Sequence, residues 1–154
     1  MNNSTSSPTV VKAPKTTPLW FWVVAGLGLA WNIFGLFAFK EFVTGTQEYW
    51  QSTGMTTSQA TLYSSLPTWM TVVFAIGVFG AVIGCVLLLA RHRLALPVLV
   101  ASFIGYICLY IGDIVLGVFA ALGTSQVMVL STVVAIASVL LWMAIHAKSR
   151  GIFH

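Results

Sequence analysis

Hydrophobic positions in this chain fall into four long blocks with little polar punctuation between them. Forty-two consecutive positions, Tyr49 to Ala90, hold no Asp, Glu, Lys or Arg, and from Leu94 to Ile145 the single such residue is Asp113. The blocks predict helical spans over about residues 19–39, 67–90, 94–122 and 127–145, each near or above the roughly 20 apolar residues that cross a bilayer. The third holds 29 residues, which at about 1.5 Å each exceeds a hydrocarbon core of roughly 30 Å, so it tilts or ends early. Pro18 suits the first turn of the first span, Trp20 and Trp22 anchor its start at the interface, and Trp142 closes the fourth. The first block is longer than a signal-peptide core and no small-residue cleavage site follows it, so it reads as a retained span.

The polar stretches set the rest of the layout. Residues 40–66 form the one sizeable loop, expected to lie on the membrane surface through Tyr49, Trp50 and Tyr63. Within it Thr56-Thr57-Ser58-Gln59 reads as a capping box opening a short helix over Gln59 to Ser65, with an irregular polar loop as the alternative. Gly123-Thr124-Ser125-Gln126 reads as a tight turn. Residues 1–17, rich in Asn, Ser, Thr, Pro and Lys, predict a disordered tail, and residues 148–154 a second tail, leaving one membrane domain over residues 18–147. The predicted fold class is all-α, an integral membrane four-helix bundle.

Composition agrees. Of the 154 residues 58% are hydrophobic and 6% charged, against about 25% charged in soluble domains. A net charge of +4 would suggest nucleic acid in a soluble protein. Here most basic residues flank the spans, so they report orientation, and the expected surroundings are the lipid bilayer and no nucleic acid. Lys12, Lys15, Arg91, Arg93, Lys148 and Arg150 fall on one side, while the other has only Lys40, opposed by Glu41 and Glu48. Both termini are therefore expected in the cytoplasm and the long loop outside. Arg91-His92-Arg93 reads as an anchor at anionic headgroups rather than a phosphate site or pH sensor.

Cys85 and Cys108 lie at different predicted depths and form no expected disulfide. His146 and His154 lack a third ligand, so no metal site is expected, and no cofactor signature or catalytic constellation emerges.

Polar residues within the spans carry the candidate chemistry. Ser102, Tyr106, Tyr110, Asp113 and Gly117 share one face of the third span, within about 80° of one another. Asp113 is expected about three turns from the outer end, where an ionised acid costs about 3 kcal/mol or more unless paired or hydrated. Two readings stand: a proton-linked or substrate-binding carboxylate, or an interhelical hydrogen-bond lock with the tyrosines. Asn32, on a face with Gly28, Gly35 and Phe39, is expected at matching depth as the partner of Asp113, and Trp31 beside it needs a neighbour for its indole N–H. Gly77, Gly80 and Gly84 form a small-residue packing face, within one chain or between protomers. Ser131, Ala135, Ser138 and Trp142 share a face of the fourth span.

The pattern Trp20-Phe21-Trp22, Trp31-Asn32 and Gly35, Thr57-Ser58-Gln59 before Tyr63, Pro67 and Trp69, then Gly84, Leu87-Leu88-Leu89 and Arg91 resembles a group of small bacterial four-span inner-membrane proteins. Members often carry a provisional label of sugar transporter. The resemblance covers nearly the whole chain except the tail and implies a multi-pass protein of the bacterial inner membrane that moves a small solute. It supplies no binding residue, and Asp113 with its tyrosines lies outside it. The expectation is a small-solute, sugar-like transporter, not an enzyme, using Asp113, Asn32, Tyr106 and Tyr110 and working as a homodimer because four spans enclose little volume. The alternative is an accessory or structural membrane protein that packs against a partner.

The basic asymmetry yields a direct test. Reporter fusions after Gly54 and after Gly151 should report opposite sides of the membrane, exterior for the first; a same-side result overturns the orientation.

Overall fold

The computed structural model describes residues 17–153; the tail expected over residues 1–17 lies, but for Thr17, outside the described residues. The regular secondary structure among the described residues is helical throughout, with no strand. The helices are α1 (Leu19–Thr44), α2 (Gln47–Ser52), α3 (Thr57–Ser64), α4 (Thr68–Leu89), α5 (Ala95–Val115), α6 (Val118–Leu122) and α7 (Thr124–Ser149). Four of them, α1, α4, α5 and α7, are long and apolar enough to cross a membrane. They run alternately up and down, giving the bundle an Arg91 end and a loop end. Outward faces are strongly apolar: Leu27 is 69% exposed and Val115 74%, a surface suited to lipid rather than water.

Several boundaries differ from the sequence pattern, among them the end of α7, which runs to Ser149 and takes in the start of the tail expected over residues 148–154. Nothing between Lys40 and Thr44 breaks a helix, so α1 continues past Phe39 and stops at Gly45, whose N–H caps the Glu41 carbonyl. The third block divides. Gly117 adopts φ 72°, in the left-handed region that favours glycine, ending α5 and leaving α6 as a separate turn before Gly123 at φ 73°. Helix α7 then starts at Thr124, so Gln126 sits in its first turn rather than in a loop.

The loop between α1 and α4 is built from caps. Thr46 accepts from the Tyr49 N–H, and Thr56 and Gln59 form a reciprocal capping box on α3. The Gln59 amide also donates to the Ala121 carbonyl at 2.7 Å, tying α3 to α6. Trp50 is buried beneath Tyr63, ring centroids 4.8 Å apart.

Close packing is densest between α4 and α5. Gly77 lies under the Tyr106 ring, Gly80 against Ser102 and Gly84 against Leu99, an antiparallel register in which numbers fall on one helix as they rise on the other. The three glycines thus pack within one chain. From the opposite side, a Cβ on Gly105 would stand 2.9 Å from both the Gly77 nitrogen and the Val73 carbonyl oxygen. The Ser102 hydroxyl donates to the Gly77 carbonyl at 2.5 Å, adding a polar tie to the seam.

The Arg91 end is sealed. Phe21, Ala25, Cys85, Leu88, Leu99, Leu140, Met143 and Ala144 form one buried cluster there. Trp142 stacks on His146 with centroids 5.6 Å apart, and Trp20 lies 6.3 Å from Trp142. Arg91, at φ 54°, ends α4 while the His92 N–H reaches back to the Leu87 carbonyl at 2.8 Å.

Backbone atoms cannot yield as side chains do, so Gly105→Ala is expected to destabilise the bundle by about 1–3 kcal/mol, as overpacking does. Gly26→Ala meets nothing within 4 Å and should be neutral or slightly stabilising. Thermal unfolding followed by helical circular dichroism in detergent checks this; equal midpoints for the two variants would refute the seam.

Candidate functional site

Toward the loop end α1 and α7 stand apart, and a cavity of about 370 Å³ occupies the gap, a size within the roughly 300–1,000 Å³ range of ligand pockets. Its walls are mostly apolar, with Phe74, Val78, Leu109 and Val133 among them. Polar side chains enter at two levels. Asn32 and Tyr106 lie at the deeper level, and Asp113, Gln126 and Tyr63 lie toward the loop.

The deeper pair is a lock. Asn32 is buried; its amide donates to the Gly28 carbonyl at 2.7 Å and faces the Cys85 sulfur at 3.9 Å, and its oxygen accepts from the Tyr106 hydroxyl at 3.4 Å. Three helices, α1, α4 and α5, meet on this one side chain, so its hydrogen-bonding capacity goes to packing. Gly77 makes the arrangement available, because a side chain there would displace the Tyr106 ring.

Asp113 sits elsewhere. Because α5 ends at Val115, the acid lies within its last turn and not three turns deep. Seven residues, about 10 Å of helix axis, separate it from Tyr106. Its hydrogen bond comes from the Gln126 amide, 3.0 Å from Oδ2. The expected pairing of Asn32 with Asp113 is therefore corrected: each has a different partner, at a different level of the same cavity. Tyr110 turns aside, its hydroxyl 3.3 Å from that of Ser131 and its ring 5.0 Å from Phe119.

Tyr63 roofs the acid from α3. Burial first, and the Asp113 carboxylate second, hold its phenol above the ordinary tyrosine range, so it stays neutral. Phe42 and Trp50 pack edge-on against its ring. Among the described residues no Lys, Arg or His lines the cavity. The arrangement offers one acidic acceptor at the loop end of an apolar, aromatic chamber.

Sequence reasoning missed Gln126 as a site residue, because a polar residue after glycine resembles a turn; thirteen positions after the lone span acid, it was the one amide near enough in sequence to reach it. Tyr63 was seen only as an interfacial aromatic. Trp31, 38% exposed, lines the cavity's outer rim. Among the described residues no group of His, Cys, Asp and Glu could hold a metal ion.

Fold and site together point to a multi-pass helical membrane protein with an internal cavity. No family model, curated protein or solved structure matches the chain.

The Asp113–Gln126 contact predicts an asymmetry. Asp113→Asn keeps an acceptor for Gln126 and should change stability little, whereas Gln126→Leu strands the acid and should cost about 1–2 kcal/mol. Thermal unfolding of the two variants checks it, and a double-mutant cycle of Asp113→Leu with Gln126→Leu, each of which removes the hydrogen bond, should show coupling; a coupling energy of zero would remove the contact.

Proposed function

We propose that the chain is a small-solute transporter of the bacterial inner membrane, with the cleft between α1 and α7 as its solute site. The observation that carries this reading is a ligand-sized cavity inside a single chain, acidic at one end and closed beneath by the packed cluster at the Arg91 end. A chamber open between α1 and α7 and closed toward the Arg91 end is the kind of arrangement that one state of an alternating-access cycle requires. The resemblance to four-span proteins labelled sugar transporter, and the six basic residues on one side of the spans, support an inner-membrane location with the loop end outward. The reading assigns the chain no catalytic step. The cavity lies within one copy, so a second copy is not required to form it.

The competing accessory reading draws on the same gap. Phe34 and Met128, 67% and 65% exposed on its rim, would then pack against a helix of another membrane protein.

Gly35 lines the cavity, and a Cβ there would find its nearest neighbour, Val78, at 3.9 Å. Gly35→Phe should therefore fill the chamber without disturbing the bundle. In proteoliposomes offered labelled glucose or labelled decyltrimethylammonium, the native chain should take up at least one solute several-fold faster than Gly35→Phe, with equal helical content. Equal uptake of both solutes by the two proteins would overturn transport and favour the accessory role.

A further inference from the structure

We infer that the solute this cleft is built for is a single-chain cationic amphiphile, which enters sideways from the bilayer between α1 and α7 and sets its ammonium against Asp113. The inference rests on the cleft being the solute site, and it names the class of solute.

The first support is the order of chemistry along the cavity. Asp113 lies two residues from the end of α5, level with Gln126 in the first turn of α7 and beneath Tyr63 of the loop. Such a level corresponds to the polar boundary of a membrane in which α5 spans the hydrocarbon. Deeper walls are apolar down to the Asn32–Tyr106 lock but for Thr132, whose hydroxyl is already donated to the Met128 carbonyl. An amphiphile has the same order, with its charge at the interface and its chain in hydrocarbon.

Charge is the second support. The carboxylate receives one amide hydrogen bond, and among the described residues no Lys, Arg or His stands in the cavity wall. An acid largely removed from water is stabilised by a cation, and the walls provide none. Rings of Phe42, Tyr63 and Phe74 lie around the same space, and aromatic faces attract quaternary ammonium groups. An anionic headgroup would meet like charge here.

The third support is the opening. Phe34, Met128 and Val129 line the cavity and are also 67%, 65% and 58% exposed on the outer surface. The chamber wall thus continues into the lipid-facing surface, so an acyl chain can pass between α1 and α7 without crossing water. A sugar fits less well. It presents hydroxyls on every side, while Asn32 is already engaged by Gly28, Cys85 and Tyr106, and most of the wall offers no hydrogen-bonding group.

The test uses the full chain in lipid nanodiscs with labelled decyltrimethylammonium, and labelled decyl sulfate as its anionic counterpart. The native protein should bind the cation saturably above protein-free discs. Asp113→Asn, which keeps the Gln126 hydrogen bond, and Gly35→Phe, which fills the chamber, should each weaken binding by about tenfold or more. Circular dichroism of both variants shows whether they are folded, and decyl sulfate should not bind saturably. Absence of saturable cation binding, equal affinity of the native chain and a folded Asp113→Asn, or equal binding of decyl sulfate would each overturn the inference. Glucose uptake by a protein that does not bind decyltrimethylammonium would remove the amphiphile and keep transport. Cation binding with Asp113 dependence but no uptake of either solute would keep the site and remove transport.

Discussion

Backbone-to-backbone approach along the α4–α5 seam is the constraint on which the other contacts depend. Between helices in hydrocarbon there is no hydrophobic drive, so association rests on close contact and a few hydrogen bonds. Glycines at 77, 80 and 84 of α4 and at 105 of α5 supply the closeness, and the Ser102 hydroxyl on the Gly77 carbonyl supplies a bond. The seam also sets the third helix. With Gly77 bare, the Tyr106 ring lies over it and its hydroxyl reaches Asn32, so α1 is docked through a side chain that the seam itself positions.

The two polar levels of the cavity solve different problems. Asn32 is deep and must be satisfied within the protein, since an amide left unpaired in hydrocarbon costs more than the bonds it makes elsewhere; its three contacts do this. Asp113 has a shallower address and needs less. Ending α5 at Val115 brings the acid to the loop end, where one amide from Gln126 and the Tyr63 roof accompany it without a basic partner. The break at Gly117 is therefore tied to the chemistry of the site. A helix continued unbroken to Leu122 would carry Asp113 about 10 Å deeper, into surroundings that one amide could not offset.

Much of this was legible in the chain, and the limits have physical causes. Four apolar blocks and the Thr56–Gln59 capping box depend on local pattern, which sequence records directly. The small-residue face of α4 was visible as well, but its counterpart Gly105 was not, since a glycine inside an apolar run does not say which backbone approaches it. Depth was the weakest inference. Counting residues back from Leu122 placed Asp113 level with Asn32, and the left-handed turn at Gly117 shifted that count by two turns of helix. Gln126 was hidden for the same reason, because a glycine at position 123 reads equally as the middle of a turn or as the residue before a helix.

The cavity itself follows from how α1 and α7 meet, closely at the Arg91 end and apart toward the loop. Near the Arg91 end, Ala25 and Gly28 on α1 face Leu140, Met143, Ala144 and Ala147 on α7, and the two helices close on one another. Toward the loop end the matching face of α1 carries bare Gly35, whose Cβ would find nothing nearer than Val78 at 3.9 Å, while Val129 and Val133 line the space from α7, so the gap stays unfilled. A wedge results, tight at one end and open at the other. The tight end does not depend on the loop, and the loop end is held by α3 through Gln59 on Ala121 and Tyr63 above the acid. A close α4–α5 seam beside an α1–α7 pair that meets only at its Arg91 end is what lets four helices hold both a packed core and a ligand-sized space.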